Sequence, residues 1–298
     1  MKEVFSKLPR ALALGVLLAG AAPLHASVYD LSSDPSCANF SCSATDNYGS
    51  LTDPVKFLQM NAASTGTGLI DSFVQIGGNS TVVQAYNTTV NNVFNNGSSS
   101  QFNHALDLSA VPTVAVGGVL YRELNIDINQ TGESPKIAID DIQVFLTNKG
   151  NQKVDTLLSN GVPDLDQSQL IYRLDGADKN DTVLLNYNFN NGSGSGDMTM
   201  LVPESYFSPY ESQYSGLILY SKFGEDINGS HPNNDGFEEW FVCQNKSNKE
   251  PQACTGSTGG TDTPGSPQAV PEPASMLLLG MGLVLGARRL SKRANSKV

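Results

Sequence analysis

The sequence predicts an all-β domain, a β-sandwich or jelly-roll-like fold, with an apolar segment at each end of the chain. Three observations support this: short runs in which apolar and polar residues alternate, clusters of Gly, Asn, Asp and Ser between the runs, and no apolar stripe of useful length with helical spacing. Residues 27–274 lie between the terminal signals, long enough for one large β domain or two small ones.

Alternation is clearest in two runs of the central region. Apolar residues occupy every second position from Leu124 to Ile128, and again from Val183 to Phe189. Because successive side chains of a strand point to opposite faces, each run predicts a strand that is buried on one side.

Two dipeptides predict local features of the sheets. Gly117-Gly118 separates Val114–Val116 from Val119–Tyr121, which is the signal of a hairpin with a two-residue turn. In the run Ile137–Leu146 the apolar phase switches across Asp140-Asp141, which predicts a β-bulge there.

Further short runs complete the predicted domain of residues 27–254. They are Val55–Met60, Leu69–Ile76, Thr81–Tyr86, Phe102–Leu108, Leu170–Leu174, Asp197–Val202, Gly216–Lys222 and Phe237–Cys243. Two polar loops stand out, Asn91–Ser100 and the glycine-rich Asn190–Gly196. Residues 255–269 have the Gly, Ser, Thr and Pro composition of a flexible linker.

The first 26 residues have the three parts of a secretory signal peptide. A basic start precedes the apolar run Ala11–Ala22, and Leu24-His25-Ala26 offers a small residue at the cut. We expect cleavage between Ala26 and Ser27. The alternative, a buried helix of a cytosolic fold, is disfavoured by the position of the run at the end of the chain.

The C-terminal apolar run Ala274–Ala287 carries no charge and ends in a basic tail of Arg288, Arg289, Lys292, Arg293 and Lys297. Fourteen residues are short for a span, which needs about 20, but snorkelling of the arginines and bilayer thinning cover part of the difference. The positive-inside rule places the tail in the cytoplasm and the preceding domain outside.

The residues before and within this run match a known sorting signal. Val270-Pro271-Glu272-Pro273 is followed at once by Ala-Ser-Met-Leu-Leu-Leu-Gly-Met-Gly-Leu-Val-Leu-Gly-Ala and Arg-Arg-Leu. This segment, about Val270–Arg293, resembles the PEP-CTERM sorting signal of Gram-negative bacteria. The alternative is a plain membrane anchor in which Pro-Glu-Pro only ends the linker.

The resemblance implies a processing partner and a destination. An exosortase, a membrane-embedded cysteine protease-transpeptidase, would cut near Pro271-Glu272-Pro273 and deliver the domain to the cell surface or an exopolysaccharide matrix. A looser resemblance to domains of other PEP-CTERM proteins lies in Tyr121–Glu123, Asp127–Gln130 and Asn234–Trp240. This looser resemblance does not imply an activity.

The charge of the exported part restricts its partners. Residues 27–274 hold 10 of the 18 Lys and Arg and 28 of the 29 Asp and Glu, a net charge of −18. This argues against nucleic acid and anionic membrane surfaces, and favours cations or neutral polymers. Acidity that serves only solubility is the competing interpretation.

The four cysteines form two close pairs, Cys37 with Cys42 and Cys243 with Cys254. In an exported protein an even number predicts disulfides, and three connectivities are possible. Local pairing closes two small loops, whereas cross-pairing would join the two ends of the domain. The spacings do not suit zinc.

Two acidic loops are candidate calcium sites, because hard oxygen ligands near glycines suit Ca²⁺. The candidate ligands are Asp175, Asp178, Asp181, Asp197, Glu225, Asp226 and Asp235. Neither loop has EF-hand spacing. Acidic turns solvated by water are the alternative.

Carbohydrate binding and glycoside hydrolysis are two further candidate functions. Trp240 follows the cluster of Tyr206, Tyr210, Tyr214 and Tyr220, but a single Trp is more often a core residue than a sugar platform. Glycoside hydrolysis needs two carboxylates about 5–9 Å apart. Neither Glu238-Glu239 nor Asp140-Asp141 supplies such a pair alone, since neighbouring residues of a strand point to opposite faces.

The sequence therefore predicts an exported, exosortase-processed β-sandwich with a structural or adhesive role at the cell surface or in an exopolysaccharide biofilm matrix. The alternatives are a calcium-stabilised carbohydrate-binding module and a polysaccharide-active hydrolase. No catalytic residue is assigned.

Overall fold

The computed structural model describes residues 26–33, 43–46, 52–60, 69–175, 180–192, 194–225 and 229–254. These residues form two seven-stranded sheets that pack face to face, as the prediction of a β-sandwich requires. The predicted signal peptide, the linker, the sorting segment, Cys37, Cys42, Asp178 and Asp226 lie outside the described residues.

Sheet A is ordered β1-β11-β9-β13-β5, with β10 also paired to β9 and β6 to β13. The strands are β1 Val28–Asp30, β5 Val83–Tyr86, β6 Leu106–Asp107, β9 Lys136–Thr147, β10 Ser168–Arg173, β11 Thr182–Asn186 and β13 Gly216–Phe223. The pair β1–β11 is parallel, and the other described pairs of this sheet are antiparallel.

Sheet B is ordered β2-β3-β12-β8-β14-β4, with β7 also paired to β8. The strands are β2 Ser43–Asp46, β3 Val55–Gln59, β4 Ile70–Gly77, β7 Thr113–Val116, β8 Val119–Asp127, β12 Met198–Pro203 and β14 Phe237–Cys243. The described pairs of sheet B are antiparallel.

The main core lies between the sheets and takes side chains from both. Leu219 and Val144 from sheet A share one cluster with Leu124, Ile126 and Trp240 from sheet B. Each fully buried side chain of this size contributes about 1.5–3 kcal/mol relative to an exposed one. Burial of apolar side chains between the two inner faces therefore stabilises the sandwich most.

Strand β13 is apolar on both faces, and the structure gives each face a partner. Leu217 and Leu219 point to the main core, whereas Ile218 and Tyr220 join a second cluster with Phe145. Residues between β9 and β10, including the partly buried Leu157, cover this outer face of sheet A.

Both local features predicted from dipeptides are confirmed. Val116 pairs with Val119 around Gly117 and Gly118, which have φ values of 61° and 86°. Such positive φ values at both positions belong to the type I′ turn, and glycine adopts them without strain. Lys222 and Phe223 of β13 pair with Asp141 and Ile139 of β9. Asp140 is skipped and is therefore the extra residue of a bulge in β9.

Three parts of the strand prediction were wrong or incomplete. The strand expected up to Phe189 ends at Asn186, and Tyr187–Phe189 form a 3₁₀ turn because the Asn186 side chain accepts a hydrogen bond from Asn188 N. The run Phe102–Leu108 contains only the short β6. Strands β1 and β2 were missed, since neither has an alternating pattern long enough to recognise.

Candidate functional site

One group of acidic residues gathers where β9 bulges, beside the ends of β10 and β13. We name Asp140, Asp141, Asp175, Asp181 and Glu225 the sheet A acidic cluster. Asp140 Oδ2 accepts a hydrogen bond from Glu225 N at 2.5 Å, and Asp141 Oδ1 accepts one from Asp175 N at 3.4 Å. The two bulge carboxylates thus hold the loops that follow β13 and β10.

Two cations lie within the sheet A acidic cluster. Arg173 Nη2 is 3.4 Å from Asp141 Oδ2 and 4.0 Å from Asp175 Oδ2, and its side chain is only 9% exposed. Lys222 forms an ion pair with Glu225 three residues further along the chain. These cations offset part of the acidic charge.

Burial is the largest influence on the pKa values of Asp141 and Asp175 in this cluster, and the charge of Arg173 opposes it. Burial raises the pKa of Asp141 to about 6, although the Arg173 guanidinium and the Gln143 amide favour its charged form. Partial burial also raises the pKa of Asp175; Arg173 opposes this shift, and the charge of Asp181 adds to it.

The structure brings together three of the predicted calcium ligands and separates others. Asp175, Asp181 and Glu225 belong to the sheet A acidic cluster, whereas Asp197 lies at the end of β12 in sheet B. Asp235 is exposed and accepts a hydrogen bond from Gly236 N at 2.9 Å. Among the described residues, no three acidic, His or Cys side chains are arranged to hold a metal ion.

A second acidic group lies where β12, β8 and β14 run side by side. We name Asp127, Asp197, Glu238 and Glu239 the sheet B acidic cluster. Glu239 pairs directly with Asp127 across β14 and β8, and Asp197 precedes Met198, which pairs with Ile126. Three adjacent strands therefore present carboxylates at the same level.

Backbone N–H groups and amides, rather than cations, bind these carboxylates. Asp127 Oδ2 accepts from Gly194 N at 2.6 Å, and Asp197 Oδ2 accepts from Ile128 N at 2.8 Å. Glu238 accepts from Asn129 N at 2.9 Å and from Gln130 Nε2 at 2.5 Å. Gly194, which belongs to the glycine-rich loop that the sequence singled out, thus contacts Asp127.

Burial raises the pKa values of three members of the sheet B acidic cluster. It raises the pKa of Asp127 to about 7; the N–H of Gly194 opposes this shift, and the charge of Glu239 adds to it. Burial also raises the pKa of Asp197 and of Glu238 well above the ordinary values, and neighbouring carboxylates add to both shifts. Oδ1 of Asp127 and Oδ1 of Asp197 have no hydrogen-bond acceptor or donor within reach among the described residues.

Sequence reasoning missed the pair of Asp127 with Glu239. The acidic doublet behaves as predicted, since Glu238 and Glu239 have different partners: Glu239 contacts the side chains of Ser72 and Gln75. The carboxylate opposite Glu239 comes from a strand more than 100 residues away, and only the strand register reveals it.

The aromatic residues considered for sugar binding are buried or partly buried. Trp240 is fully buried and donates from Nε1 to Ser221 Oγ at 2.9 Å, so it is a core residue, as expected. Tyr206 and Tyr220 are buried on different sides of sheet A, whereas Tyr210 and Tyr214 are partly buried. The four tyrosines therefore do not form one exposed platform.

The described end of the domain is closed by a disulfide. Cys243, the last residue of β14, is bonded to Cys254, which is one of the two pairs that local connectivity predicts. Cys254 N donates to Glu123 Oε1 at 2.7 Å, and Glu123 is fully buried on β8. Residues 244–254 therefore form a covalently closed strap over the outer face of sheet B.

The first described residues meet a buried carboxylate. Ser27 N donates to Asp181 Oδ1 at 2.8 Å, and Thr182 N donates to Ser27 O at 2.9 Å, so pairing of β1 with β11 begins at Ser27. Asp181 is fully buried, whereas Ala26 is exposed. The predicted cleavage point lies directly before Ser27, which is the first residue paired with β11 among those that the structure describes.

Fold and sites together define a β-sandwich domain whose buried carboxylates bind its own backbone, loops and cations. Its described ranges contain no helix with the length and apolarity of a bilayer span. The predicted span at 274–287 lies outside those ranges.

A family model described as the PEP-CTERM protein-sorting motif matches residues 269–293. The chain therefore carries the PEP-CTERM sorting motif, which supports an exported protein that an exosortase sorts and that is anchored in the membrane through its C-terminal segment in transit. No curated protein and no solved structure matches the chain.

Proposed function

We propose that this protein is a structural or adhesive component of the cell surface or of an exopolysaccharide biofilm matrix, released from its anchor by an exosortase. The observation that carries the proposal is the sorting motif at 269–293, joined by a Gly/Ser/Thr/Pro linker to a sandwich that ends in a disulfide-closed strap. Sorting delivers such a domain to the outside, and the linker gives it reach.

The internal roles of the buried carboxylates support a non-catalytic function. Asp197 and Glu238 bind backbone N–H groups, and Asp141 pairs with Arg173. These contacts stabilise the fold, and each occupies at least one oxygen of its carboxylate.

The first test is the intact mass of the protein from its own cells, with a variant that carries Pro271→Ala and Glu272→Ala. We expect the natural protein to run from Ser27 to the Pro-Glu-Pro region and to lack four hydrogens for two disulfides. The variant should keep its tail and remain in the membrane fraction. A natural protein that retains Arg288 to Val298 would contradict exosortase processing.

The second test addresses the role after delivery. Cells that lack the gene are expected to form a matrix that disperses more readily under shear, and the natural gene should restore cohesion whereas the motif variant should not. Equal cohesion in all three strains would contradict a structural or adhesive role.

The sheet A acidic cluster favours one alternative, a calcium-stabilised carbohydrate-binding module. It brings Asp175 and Asp181 close to each other, and carboxylate oxygens suit Ca²⁺, although no three described acidic side chains are arranged to hold a metal ion. Under this alternative, Ca²⁺ raises the melting temperature, Asp175→Asn abolishes the rise and Asp235→Asn, on the exposed loop, leaves it intact. Saturable binding to the exopolysaccharide of the producing cells, without product release, would then identify the module.

The pair of Asp127 and Glu239 provides the test of the hydrolase alternative. Directly opposed residues of antiparallel strands have Cβ atoms about 5 Å apart, which is within the range of a carboxylate pair for glycoside hydrolysis. We expect no release of reducing ends from the matrix polysaccharide. Release that is lost in both Asp127→Asn and Glu239→Gln, but not in Asp235→Asn, would replace the structural proposal with a catalytic one.

A further inference from the structure

The hairpin of β7 and β8 projects apolar side chains into solvent. Val116 is 37% exposed and Leu120 46%, and they are two of the five large hydrophobic residues that are exposed among the described residues. A Cβ added at Gly117 or Gly118 would have no atom within 4 Å, so the tip of the hairpin stands clear of the described part of the protein. Leu120 pairs with Ala115, the neighbour of Val116, so the two exposed side chains lie on opposite faces of the hairpin and both faces of its tip are apolar.

The edge of β7 that faces away from β8 has backbone N–H and C=O groups that can bind another strand. In a two-residue hairpin the flanking residues, Val116 and Val119, exchange both backbone hydrogen bonds, and Val114 does the same with Tyr121. The intervening residues Thr113 and Ala115 therefore direct N–H and C=O away from β8. Among the described residues, β7 pairs with β8 alone.

Another edge of sheet B is treated differently. Strand β4 is covered by the segment that follows β5: Gly97 N donates to Gln75 O at 2.9 Å, and Gly77 N donates to Asn95 O at 3.1 Å. Proteins commonly protect edge strands with covers, charges or prolines. Thr113–Val116 has no charged residue and no proline, and the described residues place no such cover on it.

Charge decides which partner suits this edge. Residues 27–274 carry a net charge of −18, so two copies repel each other over most of their surfaces. The segment 108–121 has no charged residue. Arg122, at the base of the hairpin, is engaged by Glu204 and Glu211. Two copies can thus approach through their hairpins without bringing like charges into contact, whereas a cationic partner would be attracted elsewhere.

We propose that the β7 edge pairs with the β7 edge of a second copy of this chain. Antiparallel pairing about a twofold axis places Val114 opposite Val114 of the second copy and Thr113 opposite Ala115, with four backbone hydrogen bonds between Thr113 and Ala115 of the two chains. A four-residue strand buries less area than the roughly 1,200 Å² of a stable interface, so the contact is weak for two molecules. Many copies held on one surface or matrix strengthen it by avidity.

Cross-linking tests this register on the processed protein purified from its host. Opposed Val114 positions lie within the Cα separation of a disulfide, so Val114→Cys is expected to form a covalent dimer under mild oxidation. The matched control is Leu158→Cys, which replaces a residue that is 48% exposed in the β9–β10 connection. Equal dimer yields for the two variants would overturn the proposal.

Sedimentation of the natural protein over a wide concentration range supplies the independent measurement. We expect concentration-dependent dimers that Val116→Lys weakens at least tenfold and Leu158→Lys leaves unchanged, although both substitutions add the same charge. A natural protein that stays monomeric up to millimolar concentration overturns the proposal. If it is monomeric and floats with phosphatidylcholine vesicles in a Val116-dependent manner, the hairpin binds lipid instead.

The role of this contact in cohesion rests on the function proposed above, but the pairing is measured on purified protein. Dimers without any matrix phenotype would contradict the proposed function and leave the pairing intact. A matrix phenotype that Val116→Lys does not change would contradict the cohesive role of the hairpin and leave the proposed function intact.

Discussion

The sheet A acidic cluster contains Arg173 and Lys222 within ion-pair distance, whereas no described Lys, Arg or His forms an ion pair with the sheet B acidic cluster. Both clusters bury carboxylates, and in both burial raises pKa values, to about 6 for Asp141 and about 7 for Asp127. The shift is opposed by a cation in the first cluster and increased by neighbouring carboxylates in the second.

The difference follows from how each cluster is assembled. In sheet A each cation has an acidic partner close in sequence, since Arg173 is two residues from Asp175 and Lys222 is three from Glu225, and Arg173 also reaches Asp141 on the neighbouring strand. In sheet B the carboxylates come from three strands that are distant in sequence. Buried charge is costly without a partner, so we expect sheet A to retain ion pairs and sheet B to retain protons near neutral pH.

The largest expected effect is on the pH dependence of stability, through Asp127→Asn. The folded state binds the Asp127 proton more tightly than the unfolded chain, because its pKa rises from 3.8 to about 7. This contribution is complete below about pH 4 and is lost as the pH rises through about 7, a change on the order of 4 kcal/mol. Urea unfolding from pH 4 to 8 should show that the variant loses less stability with rising pH.

The matched control for this measurement is Asp235→Asn, at an exposed acid that is hydrogen-bonded to its neighbour. Its pH profile should follow that of the natural protein. Parallel profiles for Asp127→Asn and the natural protein would mean that burial does not raise the pKa of Asp127, and the contrast between the clusters would fail.

The next effect concerns the cation of sheet A. Arg173→Met leaves Asp141 and Asp175 without their guanidinium, and breaking a buried pair costs about 3 kcal/mol. Urea unfolding at pH 8 is the appropriate measurement, since the acids are then charged. Lys149→Met, which breaks the exposed pair with Asp166, should have no measurable effect. Equal results for the two variants would show that the sheet A acidic cluster does not need its cation.

The strap over sheet B gives a somewhat smaller effect. Replacing Cys243 and Cys254 together by Ser opens a loop with a sequence separation of 11, which is expected to cost about 2.5 kcal/mol. Glu123 then exchanges its hydrogen bond from Cys254 N for water, so the variant should also protect the amides of β8 less well in hydrogen exchange. Unchanged protection would mean that residues 244–254 hold the outer face of sheet B without the disulfide.

The smallest effect links export to the sheet A acidic cluster. If signal cleavage leaves Ser27 first, its α-ammonium adds a cation beside Asp181, and Asp181→Asn should cost about 1 kcal/mol. In a protein that retains Ala26, the same position carries an amide, so the cost should be smaller. Thermal unfolding of the natural protein and of Asp181→Asn, each with and without Ala26, measures the difference. Identical costs in the two backgrounds would contradict an ion pair at Ser27.

Prediction from sequence succeeded where the signal is local. Alternation located the strands from Leu124 and Ile137 onward, and the Gly117-Gly118 turn and the Asp140 bulge followed from neighbouring residues. It failed at Tyr187–Phe189, where the apolar period continues but the Asn186 side chain competes for the backbone.

The candidate sites divide in the same way. The sequence grouped Asp175 and Asp181 correctly, because one short loop contains both. It could not group Asp197 with Asp127, Glu238 and Glu239, since their proximity depends on which strands pair and in which register. The four carboxylates have no shared motif.

The sequence by itself determined the all-β fold class and the PEP-CTERM sorting motif, because strand periodicity and the motif are each encoded in contiguous residues. It also determined the charge of the exported part. Only the tertiary structure decided which carboxylates share a cluster, which of them have a cation, and which strand edge has no partner among the described residues. The physical reason is that pairing between distant strands sets these distances, and burial then sets the free energy of each charge.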